Sequence, residues 1–188
     1  TTVSKINTIA DGTAVQTPGD KLFPYLQANV DHVITVDDSE LTLSFLDMAE
    51  NHKMIVENSG LLTVAALKHL DFKGKKVVSV LSGGNMDVLT MATVVQNGLM
   101  QRDRIFTVSV MLPDKPGQLA AVSSLIAKEQ GNVIKLEHNV FANVNRTAGV
   151  ELTITLESFG TEHKDQIIKA LEAAGYCPVI TKTNGIYM

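Results

Sequence analysis

Apolar and polar residues follow the patterns of both strands and helices in the first half of the chain. Residues 30–36 alternate, and residues 76–81 form an apolar run typical of a strand buried on both faces of a parallel sheet. Apolar residues recur at helical spacing behind polar capping residues over 37–51, 58–70 and 87–98. This alternation of strands and helices predicts an α/β domain with a parallel sheet.

The second half of the chain has a different period. Residues 105–112 alternate, with Phe106, Val108, Val110 and Leu112 on one side, and similar strands are predicted over 133–140, 149–156 and 177–183. Residues 143–147 between the second and third strands are expected to form a hairpin turn. This alternation indicates an antiparallel sheet with one face on the core.

Two helices with one apolar side each are predicted between these strands. The first should end with Gly131 in the C′ position, and the second should end at Gly175. The resulting order, βαββαβ, is that of a ferredoxin-like unit. We therefore expect one domain over residues 1–102 and a second domain over residues 103–188.

Composition excludes several classes of function. Of the 188 residues, 16 are basic and 20 are acidic, which gives a net charge of −4. A nucleic-acid surface is not expected, because phosphate recognition depends on clustered Arg and Lys. No apolar run approaches the roughly 20 residues of a membrane span. A single cysteine, Cys177, excludes an intramolecular disulfide and fits a core position in a cytoplasmic protein.

A glycine-containing loop, Ser82-Gly83-Gly84-Asn85, follows the second predicted strand and precedes a helix. Open α/β sheets bind ligands at this position, beyond the carboxyl end of a strand. Taken alone, the loop is equally consistent with a tight strand-to-helix turn. The five histidines show no metal-ligand spacing with carboxylates, so no metal site is predicted.

Three segments considered together resemble one enzyme family. They are Thr-Ile-Ala-Asp-Gly at 8–12, Glu-Asn-Ser-Gly at 57–60 and Val-Leu-Ser-Gly-Gly-Asn at 80–85. In this order they resemble the C-terminal part of the serine/threonine dehydratases, fold-type-II enzymes that use pyridoxal phosphate. Leu-Pro-Asp-Lys-Pro-Gly-Gln-Leu at 112–119 similarly resembles the first loop of an ACT domain. The resemblance implies the C-terminal half of a fold-type-II large domain, followed by an ACT domain.

The resemblance to dehydratases implies a set of cofactor-binding residues. Ser82 would place its hydroxyl against the pyridine nitrogen of pyridoxal phosphate, a neutral partner that favours prompt loss of the β-hydroxyl. Gly12 would lie alongside the cofactor, and Glu57 would lie near the ring and its 3′ oxygen. The implied set is completed by Gly83, Gly84 and Asn85. The family pattern is broken at Asn58 and Leu61, which affects the pocket near Glu57.

Two features of the family are missing from the 188 residues. The Schiff-base lysine of the family lies in a Ser-Phe/Tyr-Lys-x-Arg-Gly segment, and the cofactor phosphate lies in a tetraglycine loop; neither pattern occurs here. None of the 13 lysines is a credible substitute. We therefore predict no catalytic residue in this chain, and no elimination by the chain alone. The start at Thr1 is expected to be a truncation.

The ACT-like loop is the candidate effector site. Residues 114–119 join the first strand to the first helix, and the helix start at Gly117 offers N–H groups to a carboxylate. Asn132, at the start of the next strand, is expected to meet the polar atoms of an amino acid. The candidate effector-binding residues are Asp114, Gly117, Gln118, Leu119 and Asn132. The alternative is that the loop is only a helix-initiating turn.

Several hypotheses about function remain open. In the first hypothesis, the chain is the C-terminal part of a threonine dehydratase, which converts L-threonine to 2-oxobutanoate and ammonia. Its ACT domain would then bind isoleucine, valine or an adenine nucleotide. Alternatively, it is a stand-alone amino-acid-sensing or dimerisation module without catalysis, or a fragment with no role of its own. A homodimer through the ACT-like sheets is expected.

Overall fold

The computed structural model describes residues 5–17, 19–139 and 149–183. The chain divides into two compact units, Thr1–Gly98 and Leu99–Met188.

Helices and short helical turns make up the regular structure of the first unit. Its α-helices are α1 (Phe23–Asn29), α2 (Asp38–Asp47), α3 (Leu62–Ala65) and α4 (Val88–Gln101), the last of which runs on into the second unit. A π-helical turn, Met48–His52, continues α2. Turns of 3₁₀-helix lie at Asp11–Thr13, Asn58–Leu61 and Ala66–His69.

The start of α2 confirms the capping residues predicted from the sequence. Asp37 is the N-cap, and its backbone N–H donates to Glu40 Oε2 at 3.0 Å in a capping box. This hydrogen bond holds the pKa of Glu40 below its usual value, with His69 as a second, smaller cause. The helix buries Leu41 and Phe45. These two side chains form the centre of the first core.

The strands predicted over 30–36 and 76–81 are wrong, because neither segment pairs with another strand among the described residues. Val33 is 88% exposed, and Val78 is 90% exposed. An apolar run becomes a strand only where a neighbouring strand supplies its backbone hydrogen bonds. The described part of the first unit offers no such neighbour to either run.

The core of the first unit places the turn before α3 against α2. Leu61 and Ala65 are fully buried with Leu41 and Phe45. Val94 of α4 belongs to the same cluster. The buried cluster therefore fixes the Asn58–Leu61 turn, which follows Glu57.

The second unit has the predicted βαββαβ order. Its elements are β1 (Ile105–Leu112), α5 (Gln118–Lys128), β2 (Asn132–Asn139), β3 (Val150–Glu157), α6 (Thr161–Ala173) and β4 (Val179–Thr181). The sheet order is β2-β3-β1-β4, and all pairs are antiparallel. This confirms a ferredoxin-like unit. The predicted hairpin at 143–147 lies outside the described residues.

The last strand is shorter than predicted. Residues 179–181 pair with β1, whereas 177–183 was expected. Cys177 lies before the strand and is exposed, so its interpretation as a small core residue is wrong. A three-residue edge strand leaves the side chains at its ends uncovered.

The two helices cover one face of the sheet. Val108 and Val110 of β1 and Ile154 of β3 are fully buried, and Ile126 of α5 and Ile167 of α6 pack in the same cluster. The alternating residues of the strands point to the other face. That face carries threonine, serine, lysine and glutamate side chains.

The end of α5 differs from the prediction. Gln130, with φ 64°, holds the left-handed position, whereas Gly131 was expected there. Gly131 N donates to Ile126 O at 2.9 Å, and Gln130 N donates to Ala127 O at 3.0 Å, which is a Schellman motif with Gln130 at C′. A Cβ at Gly131 would lie 2.9 Å from Ile126 Cγ2. Position 131 therefore needs glycine because a larger residue would collide with the Ile126 side chain. Gly175, with φ 87°, ends α6 as predicted.

Replacing Gln130 by glycine should stabilise the second unit. A non-glycine residue in the left-handed region carries steric strain from its Cβ, and removing it should raise the free energy of unfolding by about 0.5–1 kcal/mol. Urea unfolding measured by circular dichroism checks this. Gly175→Ala, at the equivalent position of α6, should change stability in the opposite direction.

Asp103 links the start of the second unit to α6. Its carboxylate accepts a hydrogen bond from Thr161 Oγ1 at 2.8 Å and pairs with Lys164 Nζ at 2.8 Å. Ser158 Oγ donates to the Asp103 carbonyl. Burial alone raises the pKa of Asp103, but the hydrogen bonds from Lys164 and Thr161 outweigh it, so the pKa lies below its usual value.

Asp103→Asn should destabilise the second unit by about 1 kcal/mol at pH 7, because it removes a charge-assisted pair and keeps the backbone conformation. Since the folded-state pKa is below the unfolded one, the ionised carboxylate stabilises the fold fully above about pH 4. That contribution is lost as the pH falls through the folded-state pKa. Unfolding of both proteins at pH 7 and pH 3 measures it. An equal difference in unfolding free energy at both pH values would contradict this assignment.

Candidate functional site

Three of the predicted cofactor residues meet around the carboxylate of a fourth, Glu57. We call Gly12, Glu57, Gly83 and Asn85 the Glu57 cluster. Asn85 N donates to Glu57 Oε2 at 3.1 Å. A Cβ at Gly12 would lie 3.6 Å from Glu57 Oε1, and a Cβ at Gly83 would overlap the Glu57 carboxyl group. Glycines at 12 and 83 therefore let the backbone approach Glu57 closely.

The local packing explains how Ser82 reaches this cluster. Gly60 lies against the carbonyl oxygen of Ser82, and a Cβ at Gly60 would overlap that oxygen. Gly83 has φ +80°, a conformation that favours glycine. Ser82 is thus adjacent to the Glu57 cluster. Gly84 differs from the others, since a side chain there would meet no atom within 4 Å.

The structure adds two residues that the sequence argument missed. Ser59 Oγ is buried next to Gly12, and it has no hydrogen-bond partner among the described residues. Asn58 Nδ2 donates to Ile9 O at 3.0 Å, whereas its Oδ1 is buried without a partner in the same part of the chain. Both residues lie inside the Glu-Asn-Ser-Gly segment. Only the packing shows that they face Gly12 and Ile9.

The side chain of Asp87, which directly precedes α4, caps the first turn of that helix. Asp87 Oδ1 accepts hydrogen bonds from Leu89 N at 2.9 Å and from Thr90 N at 3.0 Å, and Asp87 also accepts from the Thr90 hydroxyl. The Thr90 hydroxyl is the main cause that lowers the pKa of Asp87. These donors at the N-terminus of α4 are therefore already used within the helix.

A small cavity adjoins the Glu57 cluster. A cavity of about 50 Å³ lies beside it, lined by Ile9, Asp11, Glu57, Asn58 and the Asn85–Asp87 segment, with Thr90. Ligand pockets usually measure roughly 300–1,000 Å³, and none of the described residues that line this cavity is a lysine. By the resemblance to dehydratases, Ser82 and Glu57 would hold the ring end of pyridoxal phosphate. When bound, the cofactor supplies an electron-withdrawing ring.

The candidate effector loop lies at the start of α5. Gly117, with φ +89°, is the N-cap of α5, and no side chain in the described ranges caps this helix end. A cavity of about 310 Å³ is lined by residues 112–119 and by His138. Asp114, Gly117, Gln118 and Leu119 are therefore brought together. Backbone N–H groups at an uncapped helix start suit a carboxylate.

Asn132 is not brought to this loop within one chain. It begins β2, whereas His138, near the end of β2, lines the loop cavity. Six residues of strand separate them by about 20 Å. Asn132 Nδ2 donates to Glu157 Oε2 at 3.0 Å. His138 is a lining residue that the sequence argument missed, because its position depends on the strand register.

The described residues offer neither a metal site nor a membrane-spanning helix. No group of three or more His, Cys, Asp or Glu side chains there is arranged to hold a metal ion. No helix in the same ranges is long and apolar enough to cross a membrane.

Comparison with protein families gives two matches. Residues 1–83 match the model of the pyridoxal-phosphate dependent enzymes, and residues 106–175 match the model of the ACT domain. The chain therefore combines a region similar to the pyridoxal-phosphate-dependent enzymes with an ACT domain. L-threonine ammonia-lyases are among its homologues.

Curated relatives match over most of the chain. L-threonine ammonia-lyase of Geobacter sulfurreducens is 36% identical over 93% of this chain and 44% of its own length. The L-threonine ammonia-lyase of Thermotoga maritima is 34% identical over 90% of this chain and 42% of its own. L-threonine dehydratase biosynthetic IlvA of Staphylococcus aureus is 30% identical over 73% of this chain and 33% of its own length. The chain spans less than half the length of these relatives.

Proposed function

We propose that the chain is the C-terminal catalytic remnant and regulatory region of a pyridoxal-phosphate-dependent threonine dehydratase. The complete enzyme converts L-threonine to 2-oxobutanoate and ammonia. The observation that carries this proposal is the Glu57 cluster, where two glycines and the Asn85 N–H converge on one carboxylate beside Ser82. The cluster is followed in the same chain by a complete ferredoxin-like sheet.

The chain alone is proposed to be inactive. Elimination from threonine needs a base at the α carbon and a residue that holds the cofactor covalently. The described lining of the cavity beside Glu57 includes no lysine, and the cavity is smaller than a cofactor pocket. The ring would be held only in the complete enzyme. The residues that would hold it are Ser82, Gly12, Glu57, Gly83, Gly84 and Asn85.

The ACT domain is proposed to bind a small effector at the α5 loop. The loop joins an uncapped helix start to a cavity with His138 on its wall, which suits the carboxylate of an amino acid. Isoleucine, valine and adenine nucleotides are the candidate effectors. Asn132 can contribute only from a second copy, which agrees with a homodimer through these sheets. The complete enzyme is proposed to be cytoplasmic, since a single Cys177 fits a reducing compartment.

A chimaera tests the proposed catalytic role. The N-terminal part of the Geobacter sulfurreducens relative, up to the matched span, would be joined to this chain. We expect the chimaera to bind pyridoxal phosphate and to form 2-oxobutanoate from L-threonine. Ser82→Ala in the chimaera should lower kcat by about tenfold or more, because the ring nitrogen loses its partner. Ser79→Ala is the matched control. A chimaera that folds without binding the cofactor would contradict the proposal.

A stand-alone sensing or dimerisation module is the second candidate. It is favoured by the contrast between the two cavities, about 310 Å³ at the effector loop and about 50 Å³ at Glu57. This candidate predicts effector binding together with a chimaera that has no cofactor absorbance.

A further inference from the structure

The face of the sheet that the helices leave open carries a row of polar residues, one from each strand. Lys135 pairs in register with Thr155, Thr155 with Thr107, and Thr107 with Thr181. Residues directly opposite in a sheet point to the same face, with Cβ atoms roughly 5 Å apart. Three threonine hydroxyls therefore follow one another across β3, β1 and β4.

Two of these hydroxyls form the floor of a shallow basin. Thr107 and Thr155 are 4% and 7% exposed, and their Oγ1 atoms lie 3.0 Å apart. A hydroxyl pair uses one donor between them, so the second hydrogen remains available. Thr181 Oγ1 is buried and has no partner among the described residues. A buried hydroxyl without a partner is a position where a polar ligand atom gains a hydrogen bond.

Charged side chains form the rim of the basin. Lys135 Nζ pairs with Glu137 Oε1 at 2.6 Å at one end. Lys182, next to Thr181, lines the other end, and within the described ranges it has no ion-pair partner. The basin has a volume of about 250 Å³, and Thr153 completes its lining. Two lysines and one glutamate leave a net positive charge.

We propose that this basin, the threonine basin, binds a small hydroxy- or amino-carboxylate. Lys182 and the Thr181 hydroxyl would take the carboxylate. The Thr107–Thr155 pair and Glu137 would take the ligand's hydroxyl or ammonium group. A single unpaired ammonium suits a monoanion better than a phosphate dianion, which usually recruits several cationic groups. Among the described lining residues none has an aromatic or branched aliphatic side chain other than threonine, so the ligand has little apolar surface.

The threonine basin is separate from the effector loop. His138 of the loop cavity pairs in register with Leu152, which is buried on the helix-covered face. The basin lies on the opposite face, so a ligand there does not occupy the loop cavity. Ligand binding in the basin therefore does not depend on whether the chain is part of a dehydratase.

Methyl NMR of the whole chain tests the basin. L-threonine, 2-hydroxybutanoate and inorganic phosphate would be titrated to about 10 mM, in the range of weak metabolite binding. We expect saturable shifts of the Thr107, Thr155 and Thr181 methyl signals with the two carboxylates. Lys182→Met should weaken this binding about tenfold, the loss expected for one charge-assisted hydrogen bond. Thr181→Val should weaken it as well.

Lys169→Met, at an exposed position of α6, is the matched control and should leave the affinity unchanged. Three results would overturn the proposal. These are no saturable shift with either carboxylate, equal affinity in Lys182→Met, and binding of phosphate alone.

Discussion

Gly60→Ala is expected to destabilise the first unit by about 3 kcal/mol, near the upper end of the effects of overpacking. A Cβ at this position would overlap the Ser82 carbonyl oxygen, which belongs to the backbone and cannot rotate away. The clash would separate the turn after Glu57 from the Ser82–Gly83 segment. Hydrogen exchange read by mass spectrometry should show faster exchange of peptides that cover 57–66 and 80–86.

Gly84→Ala is the matched control for this substitution. It lies in the same glycine-containing loop, but a side chain there meets no atom within 4 Å. Its unfolding free energy should therefore stay within about 0.5 kcal/mol of the original chain. Equal stability of the Gly60→Ala and Gly84→Ala variants would show that the two segments are not in contact.

Ile154→Ala is expected to destabilise the second unit by about 3–4 kcal/mol, as a buried aliphatic side chain is replaced by a methyl group. Ile154 is fully buried on β3, between β2 and β1 in the sheet, and it packs under both helices. The cavity left behind is lined by side chains that are held by two helices and three strands, so it closes only partly. Urea unfolding gives the difference.

Val179→Ala is the corresponding control on the edge strand. Val179 is 59% exposed, so little apolar surface is lost and the effect should stay below about 1 kcal/mol. A loss as large as that of Ile154→Ala would mean that the open face of β4 is covered in solution.

The second unit could be predicted from the sequence because the strands and helices that form its sheet and its core all belong to that unit. Alternation in β1 places Val108 and Val110 on the helices, and the structure confirms this. The error at the end of α5 has a local cause: Gly131 was assigned by its residue type, whereas the Schellman hydrogen bonds place Gln130 in the left-handed position. Two glycines can thus be used for different reasons, Gly175 for its φ and Gly131 for space.

The first unit shows what an apolar pattern leaves undetermined. Residues 30–36 and 76–81 have the composition of strands, but a strand also needs a paired neighbour, and the described residues supply none. Local signals were more reliable there. Asp37 caps α2 as predicted, because a capping box depends on residues only three positions apart.

The candidate sites were predicted as far as their residues are neighbours in sequence. The loop residues Asp114 to Leu119 line one cavity because they are neighbours in sequence. His138 could not be found this way, since it reaches that cavity only through the register of β2 with β3. In the Glu57 cluster, the resemblance identified the residues, and the packing of Gly12 and Gly83 around Glu57 adds the geometric reason for the glycines.

Calorimetric titration of the chain is the most direct test of effector binding by its ACT domain. Isoleucine, valine, threonine, serine, AMP and ADP would be titrated into the chain and into Gly117→Val, which strains the left-handed N-cap of α5. We predict saturable heat with at least one of these effectors, and at least about tenfold weaker binding in Gly117→Val. No heat with any of the six compounds would contradict the account.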